Sequence, residues 1–555
     1  MGIIKGTNGQ EIYWYSEETR MELVHEVSQH IISNFGKGPF NTFDSTNPIL
    51  LSLLELYTKK LKKIIHNELS LGFYQYIQIL HSESNAVVIN KTLEQDFPGF
   101  SRQDHALYRR CLKLLLEEAC ELELEAGESV KDARIRCITN FEELILLSEK
   151  IITTSHLMSS QHLIEDAVEV FFNEDDLYIT DYKHNYNEII EKINNDIPSH
   201  LGKAIIDNSA INDFHTATLS CLGADIKDVL DEIQSIYTSM GNEPFPCASG
   251  FDLNSLIGNL AHNSNISEKE ATVMISGLIL NKETKSSLEE TIYKPQIINR
   301  HLYRPILEWR IKGIGERMNI VDFDSARLSL HQLATNAIGW RKYPPEWKSK
   351  CFNKYVESKA NSNDKVLEDA LEEILSDNNI IYDRNITSLI TKNNQGVNID
   401  NAVCGEIDFL FLFNDTIYIA DSKYLFAKYD FNNWRGDRNK FEDGRKPYNK
   451  TIERKIDFLT KNIDLVQSHF DHIEPSSNFE LSKFDIKGLF LINTPTFYMY
   501  SAKYSILTIK DFEDLLKGQS PYPNLSIMSS DKSEIEIEYP YFIRSTVKKT
   551  MSNNM

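Results

Sequence analysis

The stretch whose reading decides the fold is Cys404–Tyr424, CGEIDFLFLFNDTIYIADSKY. Two runs rich in aromatic and β-branched residues flank Asn414-Asp415, a strong two-residue turn signal, and together they predict a β-hairpin. With those two residues as the loop, Phe413 faces Thr416 and, counting back, Asp408 faces Asp421. A four-residue loop, Phe413–Thr416, keeps the same register. Side chains alternate faces along a strand, so Asp408, Leu410 and Leu412 share a face with Ile417, Ile419, Asp421 and Lys423. Opposed like charges destabilise a strand pair, and their Cβ atoms lie roughly 4.5–5.5 Å apart. Two carboxylates so placed, beside an ammonium, are reconciled by a divalent cation between them.

Around this hairpin the grammar is that of an α/β layer. Lys365–Leu375 reads as a helix with Leu367, Leu371 and Leu375 on its buried stripe, followed by a strand near Ile380–Ile386 and a polar loop over Thr391–Asn401. After the hairpin come a basic loop, a long helix from Tyr448 to Phe470 and a buried strand, KGLFLINT (Lys487–Thr494). Tyr504–Ile509 reads as a strand, Lys510–Leu516 as a helix and Glu534–Ile543 as one more strand. Both hairpin faces are apolar, with Phe409, Phe411 and Tyr418 opposite Leu410, Leu412 and Ile419, so helices are expected on both sides of a central sheet.

These residues resemble the PD-(D/E)xK, or restriction-endonuclease-like, nuclease superfamily over about residues 365–515. The motif reads Gly405-Glu406-Ile407-Asp408 and then Asp421-Ser422-Lys423, the first part being similar to the Holliday-junction-resolvase-like branch. The resemblance implies an α-β-β-β-α-β core and a metal-dependent phosphodiesterase, most simply a DNA endonuclease using Mg²⁺, with Mn²⁺ able to substitute. Asp408 and Asp421 then ligate the metal, with the Ser422 carbonyl as the family's usual third ligand. Such a metal polarises the scissile phosphate and acidifies a bound water. Lys423 orients that water or stabilises charge on the phosphate. Glu368 takes the first-helix acid position, with Glu372 one turn away as the alternative. Glu406, on the same face, is expected to pair with Lys423. Lys450 or Lys455 could reach the site from the following helix.

Charge gives a second, local signal. The 555-residue chain is 41% hydrophobic and 25% charged with a formal net charge of -22, which excludes a uniformly basic nucleic-acid coat. Yet Lys423–Lys461 carries eleven Lys/Arg against six Asp/Glu, a local net of +5. Arg435, Arg438, Lys440, Arg445, Lys446 and Lys450, with Lys428 and Arg454, are expected to contact a phosphate backbone, and Tyr424, Tyr429 and Trp434 to offer stacking surfaces.

The rest of the chain is less explicit. Amphipathic patterns at Ile49–Leu71, His105–Ala126, Phe141–Ile152, Ile226–Thr238 and Ser267–Leu280, the last with a Ser267/Glu270 cap, predict a mainly α-helical first half. The expected organisation is a helical recognition or partner-binding region over 1–240, a second helical subdomain over 241–350, the nuclease-like domain over 351–545 and a flexible tail over 546–555. A break near Gly241–Gly250 and a linker at Lys359–Asp364 (KANSND) separate them. Asp181-Tyr182-Lys183, with Asp166 upstream, copies the hairpin motif poorly and reads as a small structural unit. The Arg and Trp residues of 294–347 could stack on nucleic acid, although core packing is the commoner role of such residues.

Seven scattered cysteines, without C-x-x-C pairs, suggest a reducing cytoplasmic setting. The N-terminus lacks a signal-peptide core, and no apolar run is long enough to span a membrane. There is no P-loop signature, so an ATPase or sensor, if needed, would be a separate partner. Fusion of a large helical half to this nuclease type resembles prokaryotic defence and DNA-processing effectors. The competing readings are an RNA-directed nuclease and a non-catalytic scaffold that binds nucleic acid or a partner.

Overall fold

The computed structural model describes residues 2–541 apart from 8–9, 187–189, 191–208, 240–248, 314–316, 400–402, 429, 477–478, 521, 523, 529–532 and 540, with backbone alone at 137–140, 237–239 and 249. The expected 546–555 tail, most of the 241–250 break and the end of the last expected strand lie outside these residues. The chain divides into two compact units. One comprises Met1–Met158, Val170–Thr180 and Asp207–Ala360; the other Ser159–Glu169, Asp181–Ile206 and Asn361–Met555. Residues on both sides of 241 therefore belong to one unit, and the second unit draws two segments from the first half.

The first unit is not helical throughout. Helices such as Phe43–Asn67, Leu71–Asn90 and Arg102–Ala119 are joined by a five-stranded sheet in the order Glu123–Leu124, Ile306–Ile311, Arg317–Val321, Ser249–Phe251, with Ile279–Leu280 also paired to Ile306–Ile311. Strands of two or three residues carry no measurable periodicity, which is why the pattern hides them. The helix expected from Ile49 begins at Phe43, because the Ser45 hydroxyl accepts the Thr42 N–H (3.1 Å) in a capping box that places Pro48 in the second turn. The expected Ser267/Glu270 box is present. Trp309, Trp347 and Arg304 are fully buried, so these members of the 294–347 group serve packing rather than stacking. Asp181 lies in a two-stranded unit, Val168–Phe172 with Tyr178–Tyr182, as expected of a structural element. Among the described residues, no helix is long and apolar enough to cross a membrane.

The second unit is built around a mixed five-stranded sheet. Helix α1 (Lys350–Asp377) leads into β1 (Ile381–Ile386) and a small hairpin, β2 (Ser388–Ile390) and β3 (Gly396–Asn398). The central hairpin follows as β4 (Ile407–Phe413) and β5 (Thr416–Lys423). Then come α2 (Phe431–Arg438), α3 (Tyr448–Lys461) and α4 (Ile463–Ile473). Strands β6 (Asp485–Ile492) and β7 (Ser505–Thr508) and helix α5 (Ile509–Leu516) complete the layer. The strand order is β1-β4-β5-β6-β7, antiparallel from β1 to β5 and parallel from β5 to β7.

The hairpin register is the expected one, from Phe409↔Ala420 to Phe413↔Thr416. Asn414 and Asp415 both have positive φ (48° and 55°), the left-handed pair that a two-residue turn between twisted strands demands. Leu367, Leu371 and Leu375 of α1 and Phe512 of α5 cover the Phe409/Phe411 face. Helix α3 covers the other.

Four expectations are corrected here. Lys359–Asp364 does hold the boundary between the two units, after Ala360, but it is part of α1 rather than a loop. Phe352, Val356 and Ala360 continue to Leu367 and Leu371 at helical spacing, so the polar run simply occupies exposed turns. The polar loop at 391–401 holds β3. The long helix breaks at Asn462, whose side-chain amide donates to the Phe458 carbonyl (2.7 Å) and competes with the helix ladder. The strand expected from Glu534 ends at Ile537 in a separate two-stranded sheet with Leu525–Met528.

One glycine sets the depth of the layer. A Cβ on Gly488 of β6 would lie 2.8 Å from Ile452 Cγ1 and 2.9 Å from Ile456 Cδ1, both on α3. Gly488→Ala should therefore push α3 off the sheet and cost about 1–3 kcal/mol, read as faster hydrogen exchange in β5 and β6.

Candidate active site

The hairpin places three oxygens around one cation. Lys423 Nζ lies 3.5 Å from Asp408 Oδ2 and 3.7 Å from Asp421 Oδ2, and it donates to the Ser422 carbonyl at 2.8 Å. Those three groups are the metal ligands expected from the resemblance, and they converge on the Lys423 ammonium. Asp408 is held in place by the Ser422 N–H (2.8 Å) and hydroxyl (3.1 Å). Asp421 is buried, and its other oxygen is taken by Lys455 of α3, itself buried. Lys450 stays exposed. Of the two lysines that could reach back, the structure selects Lys455. Burial works against the Lys423 ammonium, but Asp421 and Asp408 outweigh it and hold its pKa above the ordinary lysine value. The Tyr448 ring lies 5.5 Å from its Nζ.

Glu368 approaches from the opposite face. Its Oε1 is 3.4 Å from the Ser422 hydroxyl, so Ser422 links it to Asp408. Burial, reinforced by the Asp408 charge, raises the Glu368 carboxyl above its usual value. Glu372 instead bonds Arg384 and the Tyr382 hydroxyl (3.2 Å). Arg384 of β1, which sequence reasoning missed, clamps Glu368 (3.2 Å), Asp369 (3.0 Å) and Glu372. Its only trace in the sequence is a lone cation at an alternating position of a half-buried strand. Arg384→Met should cost about 1–2 kcal/mol in urea unfolding, at the low end for charge-assisted bonds because Asp369 and Glu372 are partly solvated.

The expected Glu406–Lys423 pair does not form. Glu406 is exposed just before β4, and it makes no ion pair among the described residues. The basic rim is also only partly realised. Lys440, Arg445, Lys446 and Lys450 are exposed, as is Arg454. Arg438 bonds Asp443 (3.0 Å) and the His162 carbonyl, and Arg435 is partly buried on α2. Lys428 is buried against Asp437. Trp434 is fully buried among Phe431 and Phe497, which rules it out as a stacking surface. The segment folds as a helix rather than a loop, and its apolar face turns these side chains inward. Tyr424 packs against the core, and Tyr429 lies outside the described residues.

The donor set suits a hard divalent cation, being two carboxylates and a backbone carbonyl with no sulfur or imidazole. Among the described residues no three His, Cys, Asp or Glu side chains form a metal cluster, so the expected set depends on its main-chain member. The cysteines are not all unpaired: Cys221 and Cys351 are joined in a disulfide, while Cys111, Cys120 and Cys404 are free and buried. Comparison with protein-family models, curated proteins and solved structures returns no significant match.

Proposed function

We propose that the second unit is a metal-dependent nuclease of the PD-(D/E)xK type that hydrolyses phosphodiester bonds, with DNA as substrate and internal cleavage as its mode. The observation that supports this reading is the convergence of Asp408, Asp421 and the Ser422 carbonyl on one cation position. Asp408, Asp421 and the Ser422 carbonyl would hold Mg²⁺ or Mn²⁺, which when bound supplies charge neutralisation at the phosphate and acidifies water. The Lys423 ammonium occupies that position here; with a metal bound it would move aside, where it would suit a phosphate oxygen. Lys455 fixes the Asp421 carboxylate, and Glu368 fixes Ser422 through its hydroxyl. Lys440, Arg445, Lys446 and Lys450 offer exposed charge for backbone contact.

A second reading, a non-catalytic binding module, has one observation in its favour: Lys423 and Lys455 already neutralise the two aspartates. Cleavage assays on plasmid, linear and single-stranded DNA and on RNA separate the two. DNA cleavage with Mg²⁺ or Mn²⁺, abolished by chelator and by Lys423→Ala, is the expected result. Cleavage of RNA alone would reassign the substrate, and cleavage of nothing with either metal would leave the binding module.

A further inference from the structure

The first unit holds a pair of sulfurs that nothing in the nuclease reading uses. Cys221 and Cys351 are joined in a disulfide across 130 residues, with their Cα atoms 5.4 Å apart. Cys221 stands in the last turn of helix Ala210–Leu222, and Cys351 in the first turn of α1. Eight residues before Cys221, Asp213 accepts from Lys359 Nζ (2.6 Å), and Lys359 lies eight residues after Cys351. The two helical segments therefore run antiparallel, tied at two levels about two turns apart. Between the ties, Phe214 and Phe352 meet one buried ring, that of Trp347, at centroid distances of 6.0 and 5.7 Å.

The two ties differ in kind. Asp213 is 44% exposed, so the ion pair contributes little by itself. The disulfide closes a long loop and restricts the unfolded chain accordingly. It is also within reach of solvent, because Cys351 is exposed and Cys221 half-buried. Cys111, Cys120 and Cys404 are free but buried, and burial pushes all three thiols up. Exchange requires a thiolate to reach a sulfur, so among the described cysteines it is confined to this pair. Exposed disulfides are the labile, regulatory class, whereas those sealed in a core resist reduction.

We propose that Cys221–Cys351 is an exchangeable disulfide, at which a dithiol reductant unfastens helix Ala210–Leu222 from the first turns of α1. One thiolate of the dithiol attacks Cys351 Sγ, the protein S–S bond breaks, and Cys221 leaves as a thiolate that takes up a proton. The second thiol of the reductant, deprotonated, then attacks the reductant's own sulfur in the mixed disulfide. Cys351 leaves in its turn and is protonated. Two electrons and two protons pass to the protein, and the dithiol becomes a disulfide. The reduced segments keep the Trp347 contacts and the ion pair but lose the covalent tie. The pair lies wholly within the first unit and acts whether or not the second unit cleaves nucleic acid.

The test uses the full chain, with dithiothreitol as reductant and oxidised glutathione as oxidant. After oxidised glutathione, a proteolytic digest should contain a peptide pair joined through Cys221 and Cys351. Dithiothreitol without denaturant should open that link, while Cys111, Cys120 and Cys404 stay closed to iodoacetamide until the chain is unfolded. Reduction should lower the thermal midpoint by about 5 °C or more and speed hydrogen exchange over 210–222 by about 10-fold. Oxidised glutathione should reverse both changes. Cys351→Ser and Cys221→Ser should each match the reduced wild type and stop responding to dithiothreitol. Absence of the linked peptide overturns the proposal, as does a link that dithiothreitol opens only with denaturant. So does reduction that leaves the midpoint and the exchange unchanged, or serine variants that respond to dithiothreitol as strongly as the wild type.

Discussion

Asp421→Ala should lower the stability of the second unit by about 3–5 kcal/mol, the range for removing one partner of a buried ion pair. Asp421 and Lys455 are 2% and 3% exposed, so solvent screens neither charge. Lys423 leans on the same carboxylate at 3.7 Å. Removing it leaves one ammonium buried without a counter-ion and strips a second of half its support. The loss should appear as faster hydrogen exchange in β4 and β5, which reads this unit separately from the other. Asp421→Leu combined with Lys455→Leu should recover most of it, because a packed apolar pair avoids the desolvation cost that an orphaned ammonium carries. If Asp421→Ala exchanges like the wild type, the two lysines are not relying on it.

Lys423→Ala should reduce DNA cleavage about 10²–10³-fold, the range for deleting one preorganised donor at a centre of developing charge. Its side chain is 22% exposed, so the fold should survive the change better than it survives loss of Asp421. The loss should fall on kcat with KM nearly unchanged, because the donor is assigned to the reacting phosphate rather than to substrate docking. Asp408→Ala should lose activity at least as severely and should weaken Mg²⁺ dependence as well. Lys446→Ala, on the exposed rim, should instead raise KM and reduce the salt slope by about one unit. Cleavage unchanged by Lys423→Ala and Asp408→Ala would place the chemistry elsewhere in the chain.

Asn414-Asp415 made the hairpin legible because both residues tolerate positive φ, and that turn sets the strand register. Period-two alternation then placed Asp408, Asp421 and Lys423 on one face with no tertiary information. Leu367, Leu371 and Leu375 showed the buried stripe of α1, and with it the position of Glu368. The same local reasoning put a boundary at Lys359–Asp364, where the two units do divide, but missed that the stretch is helical, because exposed helical turns and exposed loops share a composition. It also misjudged Trp434, Lys428 and Arg438. Composition alone does not tell whether a basic, aromatic segment faces solvent or folds back on the sheet.

What the sequence determined by itself was therefore the hairpin, its register and the residues that share its faces, because turn chemistry and alternation act over one to a few residues. The tertiary structure decided the partners. Lys455 meets Asp421 across 34 residues, Arg384 clamps Glu368 across 16, and Arg300 meets Glu117 across 183. Such pairs form only when separate helices and strands pack face to face, and which faces meet is settled by the burial of the whole apolar surface rather than by any neighbouring residue.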